Sequence, residues 1–182
     1  MSGRWNIVDQ PYIVDLGLAL LVVVHAVTTV LGWVPSAWTM LNAASRGEQA
    51  ALYLAVLGAA ALLSGFAGVV VIFGLSGTTD RFRTFRVMAG PALARNWTST
   101  SIAGFAGAGT ALLAAILLYS PWASASPWLF ELAVFLVAHA STRLVWLLRG
   151  LIRLVQADDV STAREKNKKS PKDGPWNQRR PA

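Results

Sequence analysis

The sequence contains no cysteine, only two histidines and few charged residues. The absence of cysteine excludes disulfides, thiolate metal sites and thiol nucleophiles. The HExxH and GxSxG motifs and any glycine-rich phosphate loop are also missing, so the sequence predicts a protein that is not an enzyme. What the chain has in abundance is hydrophobic side chains. They make up 54% of its 182 residues against 14% charged, which is unusual for a soluble domain of this size.

The hydrophobic residues are concentrated in four segments, each long enough to cross the membrane. About 20 helical residues span the roughly 30 Å of bilayer hydrocarbon. Runs such as LGLALLVVV and ALLAAILL lack the alternation of polar and apolar residues that barrel strands require. We therefore predict an all-α, polytopic integral membrane protein in which residues 1–155 form four antiparallel transmembrane helices. The predicted helices are about 13–34, 50–75, 101–119 and 127–155.

The distribution of cations predicts the orientation of these helices. The connection between the second and third segments carries four arginines, and the chain after Leu148 is also rich in Lys and Arg. The other two connections have almost no net charge. By the positive-inside rule, both termini and the middle connection are cytoplasmic. The bias towards Ala, Val, Leu and Arg is typical of a GC-rich bacterium. We predict a multi-pass protein of the bacterial plasma membrane. Its net charge of +7 then needs no nucleic-acid partner.

The last part of the chain, residues 156–182, is polar and has no apolar face to bury, so we predict that it is disordered. It carries a basic cluster close to the predicted inner membrane surface, where each cation gains about 1 kcal/mol from anionic lipid. Membrane lipid is therefore the predicted partner, with a cytoplasmic protein as the alternative. The cluster consists of Arg164, Lys166, Lys168, Lys169 and Lys172.

The tetrapeptide GFAG occurs twice, once in the second hydrophobic segment and once in the third. Small residues let membrane helices approach each other closely. Both copies fall at a similar predicted depth, so we predict that the two helices cross where the copies meet. The glycines concerned are Gly65, Gly68, Gly104 and Gly107.

Ionisable residues interrupt the first and last hydrophobic segments. On the last, Glu131, His139 and Arg143 are separated by multiples of four residues, so they lie along one side of a helix. On the first, Asp15 lies near the inner end and His25 near the centre. From the predicted helix centres, the two histidines lie within about 5 Å of each other in depth. We predict that Asp15 pairs with Arg143, that His25 approaches His139, and that Glu131 stands alone in water near the outer surface.

Three interpretations of these residues remain open. In the first, each imidazole is structural and donates to a backbone carbonyl or a nearby hydroxyl. In the second, the five ionisable residues line a path for protons or ions, because such groups inside a membrane often mark a pathway. In the third, His25 and His139 are the two axial ligands of a haem b. Outside this third interpretation, we predict neither a metal nor a cofactor.

The layout of a small, basic, four-helix protein with both ends inside is similar to phage- or prophage-encoded membrane proteins, including exclusion proteins and multi-span holins. It also resembles the accessory subunits of respiratory complexes. The resemblance rests on hydropathy and implies a non-enzymatic binding, exclusion or ion/proton-permeation component. It leaves two alternatives, an accessory or haem-bearing respiratory subunit and an assembly or scaffold subunit. Homo-oligomers, or binding to another membrane protein, are compatible with each.

Overall fold

The computed structural model describes residues 10–77 and 80–167, and nearly all of this part of the chain is α-helical. No strand occurs in these two ranges, so the all-α prediction is confirmed for them. A short 3-10 turn precedes the last helix. The helices are α1 (Pro11–Val30), α2 (Thr39–Ala43), α3 (Arg46–Ser76), α4 (Asp80–Leu117) and α5 (Ser126–Asn167).

Four of these helices are long and apolar enough to cross a membrane, which agrees with the number predicted. They are α1, α3, α4 and α5. The qualifying stretches are Tyr12–Val30, Arg46–Ile72, Ala94–Leu117 and Ala123–Val160.

The start of α3 and the end of α1 have local causes in the sequence. α1 stops at Val30, earlier than predicted, because Gly32 adopts a left-handed conformation with φ +74°. The amides of Gly32 and Trp33 then bond back to carbonyls of the last helical turn. α3 begins at a capping box, in which Ser45 accepts from the Glu48 amide and the Glu48 side chain accepts from the Ser45 amide.

Both α4 and α5 extend well beyond the predicted boundaries. α4 begins at Asp80, so most of the predicted middle connection is helical, and α5 continues through Asn167. The segment predicted to be disordered from residue 156 therefore overlaps α5, in which charged side chains continue the helix to Asn167 without a breaking residue. Arg164 and Lys166 fall on this helix. The predicted basic residues Lys168, Lys169 and Lys172 lie outside the described residues.

The core of the bundle lies where α3, α4 and α5 meet. Towards one end, Tyr53 stacks on Phe130, with ring centroids 4.7 Å apart, and packs on alanines of α4. Farther along, Ala67 and Val70 of α3 pack with Leu144 of α5. α1 is peripheral, because it contacts α5 and, less extensively, α4, and the rest of its surface is exposed and apolar.

The two GFAG copies do not meet as predicted. A Cβ on Gly104 would overlap the Ser64 Oγ of α3, so this glycine does permit a close approach of α3 and α4. A Cβ on Gly107 would instead lie 2.9 Å from Val137 Cγ2 of α5. At Gly65 and Gly68 an added Cβ meets nothing within 4 Å. The prediction is therefore wrong for Gly65 and Gly68 of α3, because the small residues buried on that helix are Ala60, Ser64 and Ala67.

Candidate functional site

The ionisable side chains singled out from the sequence lie together where α1 packs against α5. We call this contact the α1–α5 seam and define it by five residues. α1 supplies Asp15 and His25, and α5 supplies Glu131, His139 and Arg143. Because the α5 residues are separated by four, eight and twelve positions, they follow one side of the helix with a drift of about 40° for every four residues.

Glu131 is buried at one level of the seam and has two donors. The Nδ1 of His25 lies 2.9 Å from its Oε1 and 3.0 Å from its Oε2. The indole Nε1 of Trp38 donates to Oε2 at 2.8 Å. The His25 ring also meets the Trp128 ring edge to face at 5.2 Å. Glu131 itself is only 5% exposed, so protein donors replace most of its contact with solvent.

Asp15 and His139 form a second pair. The His139 Nδ1 lies 2.7 Å from Asp15 Oδ1, and their side chains are 15% and 19% exposed. An ionised carboxylate can only accept, so an ionised Asp15 requires the proton on Nδ1. In both pairs, a single proton thus lies between an imidazole nitrogen of one helix and a carboxylate oxygen of the other.

Arg143 lies one turn beyond His139 and is held by α4. Its guanidinium donates to Ser99 Oγ at 3.0 Å and to the Asn96 side-chain oxygen. Ser99 and Asn96 are themselves buried, so they fix the position of the charge. Asp15 is near enough to attract this guanidinium electrostatically. The cation therefore has neutral partners on α4 and an acidic neighbour on α1.

The two histidine–carboxylate pairs lie at different levels of the seam. Asp15 and His25 are ten residues apart on α1, which is about 15 Å along the axis, and their partners on α5 are eight residues, or about 12 Å, apart. Between these levels, Val22 of α1 is buried, 5% exposed. A buried apolar side chain thus separates the two pairs along α1.

This geometry corrects three sequence predictions. His25 and His139 do not form a pair, because each binds a carboxylate at its own level. Glu131 is not solvated alone but is buried between His25 and Trp38. The direct partner of Asp15 is His139, and Arg143 influences it as a neighbouring charge. Part of the error in depth arose because α1 ends at Val30, so its centre lies closer to Asp15 than predicted.

The seam also fails to fit a haem with two axial histidines. Nitrogen ligands on opposite sides of one metal ion are about 4 Å apart, since each metal–nitrogen bond is about 2 Å. The levels of His25 and His139 differ by roughly 12 Å or more along the helices. One iron cannot bind both imidazoles in this arrangement.

Sequence reasoning missed several residues that complete the seam. Asn96 and Ser99 are three apart on α4, and Thr100 lies beside them, so a polar face on that helix could have been read from the spacing. Trp38 carried no such signal, because a tryptophan near the end of a segment is equally typical of the membrane interface.

Comparison of the chain with protein-family models, with curated proteins and with solved structures finds no match. A functional proposal for the chain therefore depends on the chemistry of the seam.

Proposed function

We propose that the chain is an integral protein of the bacterial plasma membrane, with four antiparallel transmembrane helices and both termini in the cytoplasm. The four apolar helices support this setting. The order of the contacts supports the antiparallel arrangement, since Asp15 meets His139 whereas the later residue His25 meets the earlier residue Glu131. The cation-rich ends of α4 and α5 support the orientation.

In this setting the α1–α5 seam is a proton pathway, and the protein is a non-enzymatic proton-permeation component. The observation that carries the proposal is the pair of His–carboxylate contacts at successive levels of one interface. Ionisable side chains are expensive inside a bilayer, and those that occur there commonly serve proton or ion transfer. The seam concentrates four groups that can exchange a proton.

Each pair has the parts that a proton relay needs. The carboxylate accepts a proton from the imidazole Nδ1, and the Nε2 of the same ring can take up another from the opposite side. The distance between the two levels and the buried side chain of Val22 interrupt the relay, so transfer between levels requires a movement of α1 or the entry of water. α1 is suited to such a movement because most of its surface contacts no other helix. Arg143 adds a fixed positive charge that opposes the entry of metal cations.

Proton flux into proteoliposomes tests this function. The full chain is reconstituted with a pH-sensitive dye inside, and a potassium diffusion potential with valinomycin drives protons inward. We expect acidification above that of protein-free vesicles, and its loss in Glu131→Gln and Asp15→Asn. Asp159→Asn is the matched control, because this carboxylate is exposed and outside the seam. Wild-type flux equal to that of empty vesicles refutes the proposal.

A second candidate is an assembly or scaffold subunit in which the pairs only fasten α1 to the bundle. The buried Val22 between the pairs favours it, because a packed apolar side chain also blocks a relay. In that case the seam variants lose stability and no form of the protein conducts protons. Co-purification from native membrane then distinguishes an exclusion protein, a holin-like protein and a respiratory accessory subunit by the partner retained.

A further inference from the structure

Beyond the seam, α5 carries an exposed stripe of one tryptophan and two arginines. Trp146 is 57% exposed, and Arg149 and Arg153 are exposed as well. Their spacing of three and four residues places all three within about 60° of arc on the helix. Because α5 is continuous through this region, the stripe has a fixed geometry.

The two arginines of the stripe have no carboxylate partner among the described residues. The exposed Asp159 lies about 140° around the helix from Trp146, on another face. The stripe therefore presents two unneutralised guanidinium groups beside an indole.

We infer that Trp146, Arg149 and Arg153 form a binding surface for the phosphate headgroup of an anionic phospholipid in the inner leaflet. Arginine binds phosphate oxygens with two parallel donors. Tryptophan favours the level at which headgroups meet the hydrocarbon. The order along α5 matches that of a lipid, since the indole comes first from the membrane side and the arginines follow over the next two turns.

The position of the stripe relative to the seam agrees with this depth. Arg143, which α4 fixes within the bundle, precedes Arg149 by about 9 Å and Arg153 by about 15 Å along the axis. The indole also favours a lipid over a soluble phosphate compound, because free phosphate has no acyl chain for it to contact. The inference rests on the membrane setting of the proposed function and is independent of proton transfer.

Native mass spectrometry of the full chain in mild detergent tests the surface. The protein is titrated with phosphatidylglycerol and with phosphatidylcholine of the same acyl chains. We expect about thirtyfold tighter binding of phosphatidylglycerol, since two cations near a headgroup contribute about 1 kcal/mol each. Arg149→Gln/Arg153→Gln should reduce this preference to near unity, and the corresponding double Lys variant should retain part of it.

The matched control is Arg46→Gln/Arg83→Gln, which removes two exposed cations elsewhere on the described part of the chain. It should keep the preference. If the control and test variants lose the preference for phosphatidylglycerol equally, only net charge matters and the inference is wrong. The inference is also wrong if the Arg149/Arg153 variant keeps the full preference, or if inorganic phosphate displaces the lipid. If the double Gln variant does not fold, Arg153→Gln alone should lose about half of the preference on a logarithmic scale.

Discussion

Replacing Glu131 by alanine is the most informative perturbation of the seam. The substitution removes the acceptor of both His25 Nδ1 and Trp38 Nε1 and leaves these donors facing a small cavity. Since Glu131 is buried, water cannot readily take the place of the lost oxygens. We therefore expect α1 to lose one of the two His–carboxylate contacts that attach it to α5.

Two estimates bound the cost. Hydrogen bonds to a charged group in soluble proteins contribute about 1.5–3 kcal/mol each, so losing two costs up to about 6 kcal/mol. Polar contacts between membrane helices contribute less, about 0.6 kcal/mol on average and at most about 1.7. If each of the two contacts contributes close to the maximum of about 1.7 kcal/mol, Glu131→Ala lowers the free energy of unfolding by about 3 kcal/mol. Glu131→Gln keeps one carbonyl acceptor and should cost about 1 kcal/mol.

Reversible unfolding in mixed dodecylmaltoside and dodecyl sulfate micelles, followed by circular dichroism, measures this loss. Asp159→Ala removes an exposed carboxylate on the same helix and should change the free energy of unfolding by less than about 0.5 kcal/mol. A double-mutant cycle with His25→Ala should give a coupling of about 1 kcal/mol or more, because the two side chains are in contact. A cost for Glu131→Ala no larger than that of the control would refute the buried pair.

Three further predictions concern the bundle around the seam. Gly107→Leu should destabilise the bundle by about 2 kcal/mol or more, because even an added Cβ at this position would crowd Val137. Gly68→Leu places its side chain in open space and should cost under about 1 kcal/mol. Thermal unfolding of the two variants compares these costs. Because the chain has no cysteine, single introduced cysteines report the topology. Ser124→Cys should react with an impermeant maleimide from outside intact cells, and Ala163→Cys should react only after lysis. Both positions are exposed, and they lie on opposite sides of the proposed membrane. Arg143→Ala should lower the unfolding temperature, because Asn96 and Ser99 lose their donor, with Arg46→Ala as the exposed control.

The sequence predicted the number of long apolar helices because hydrophobic length alone determines it. It did not predict the start of α4 or the end of α5, since charged residues with few breakers are compatible with both a solvated helix and a loop. The arginines between the second and third segments indicated a connection, yet α4 already begins at Asp80 and continues through Pro91.

The sequence identified the five residues of the seam but not which of them contact each other. All five ionisable residues could be identified because charges are rare in apolar segments. Which carboxylate meets which histidine depends on the relative shift of α1 and α5, and a shift of about two turns would bring His25 level with His139 instead. That shift depends on where α1 stops, near Gly32, and on the burial of side chains such as Val22, which no spacing rule encodes.

Nitrogen-15 NMR of the two histidines in lipid bilayers tests the two-level seam most directly. The chain has no other histidine, so selective labelling gives one set of ring signals for each, and His25→Gln assigns them. We expect Glu131→Gln to shift the ring signals of His25 alone, and Asp15→Asn to shift those of His139 alone, because each imidazole shares a proton with one carboxylate. If either substitution moves both histidines equally, or if neither histidine responds, the two separate His–carboxylate pairs do not exist.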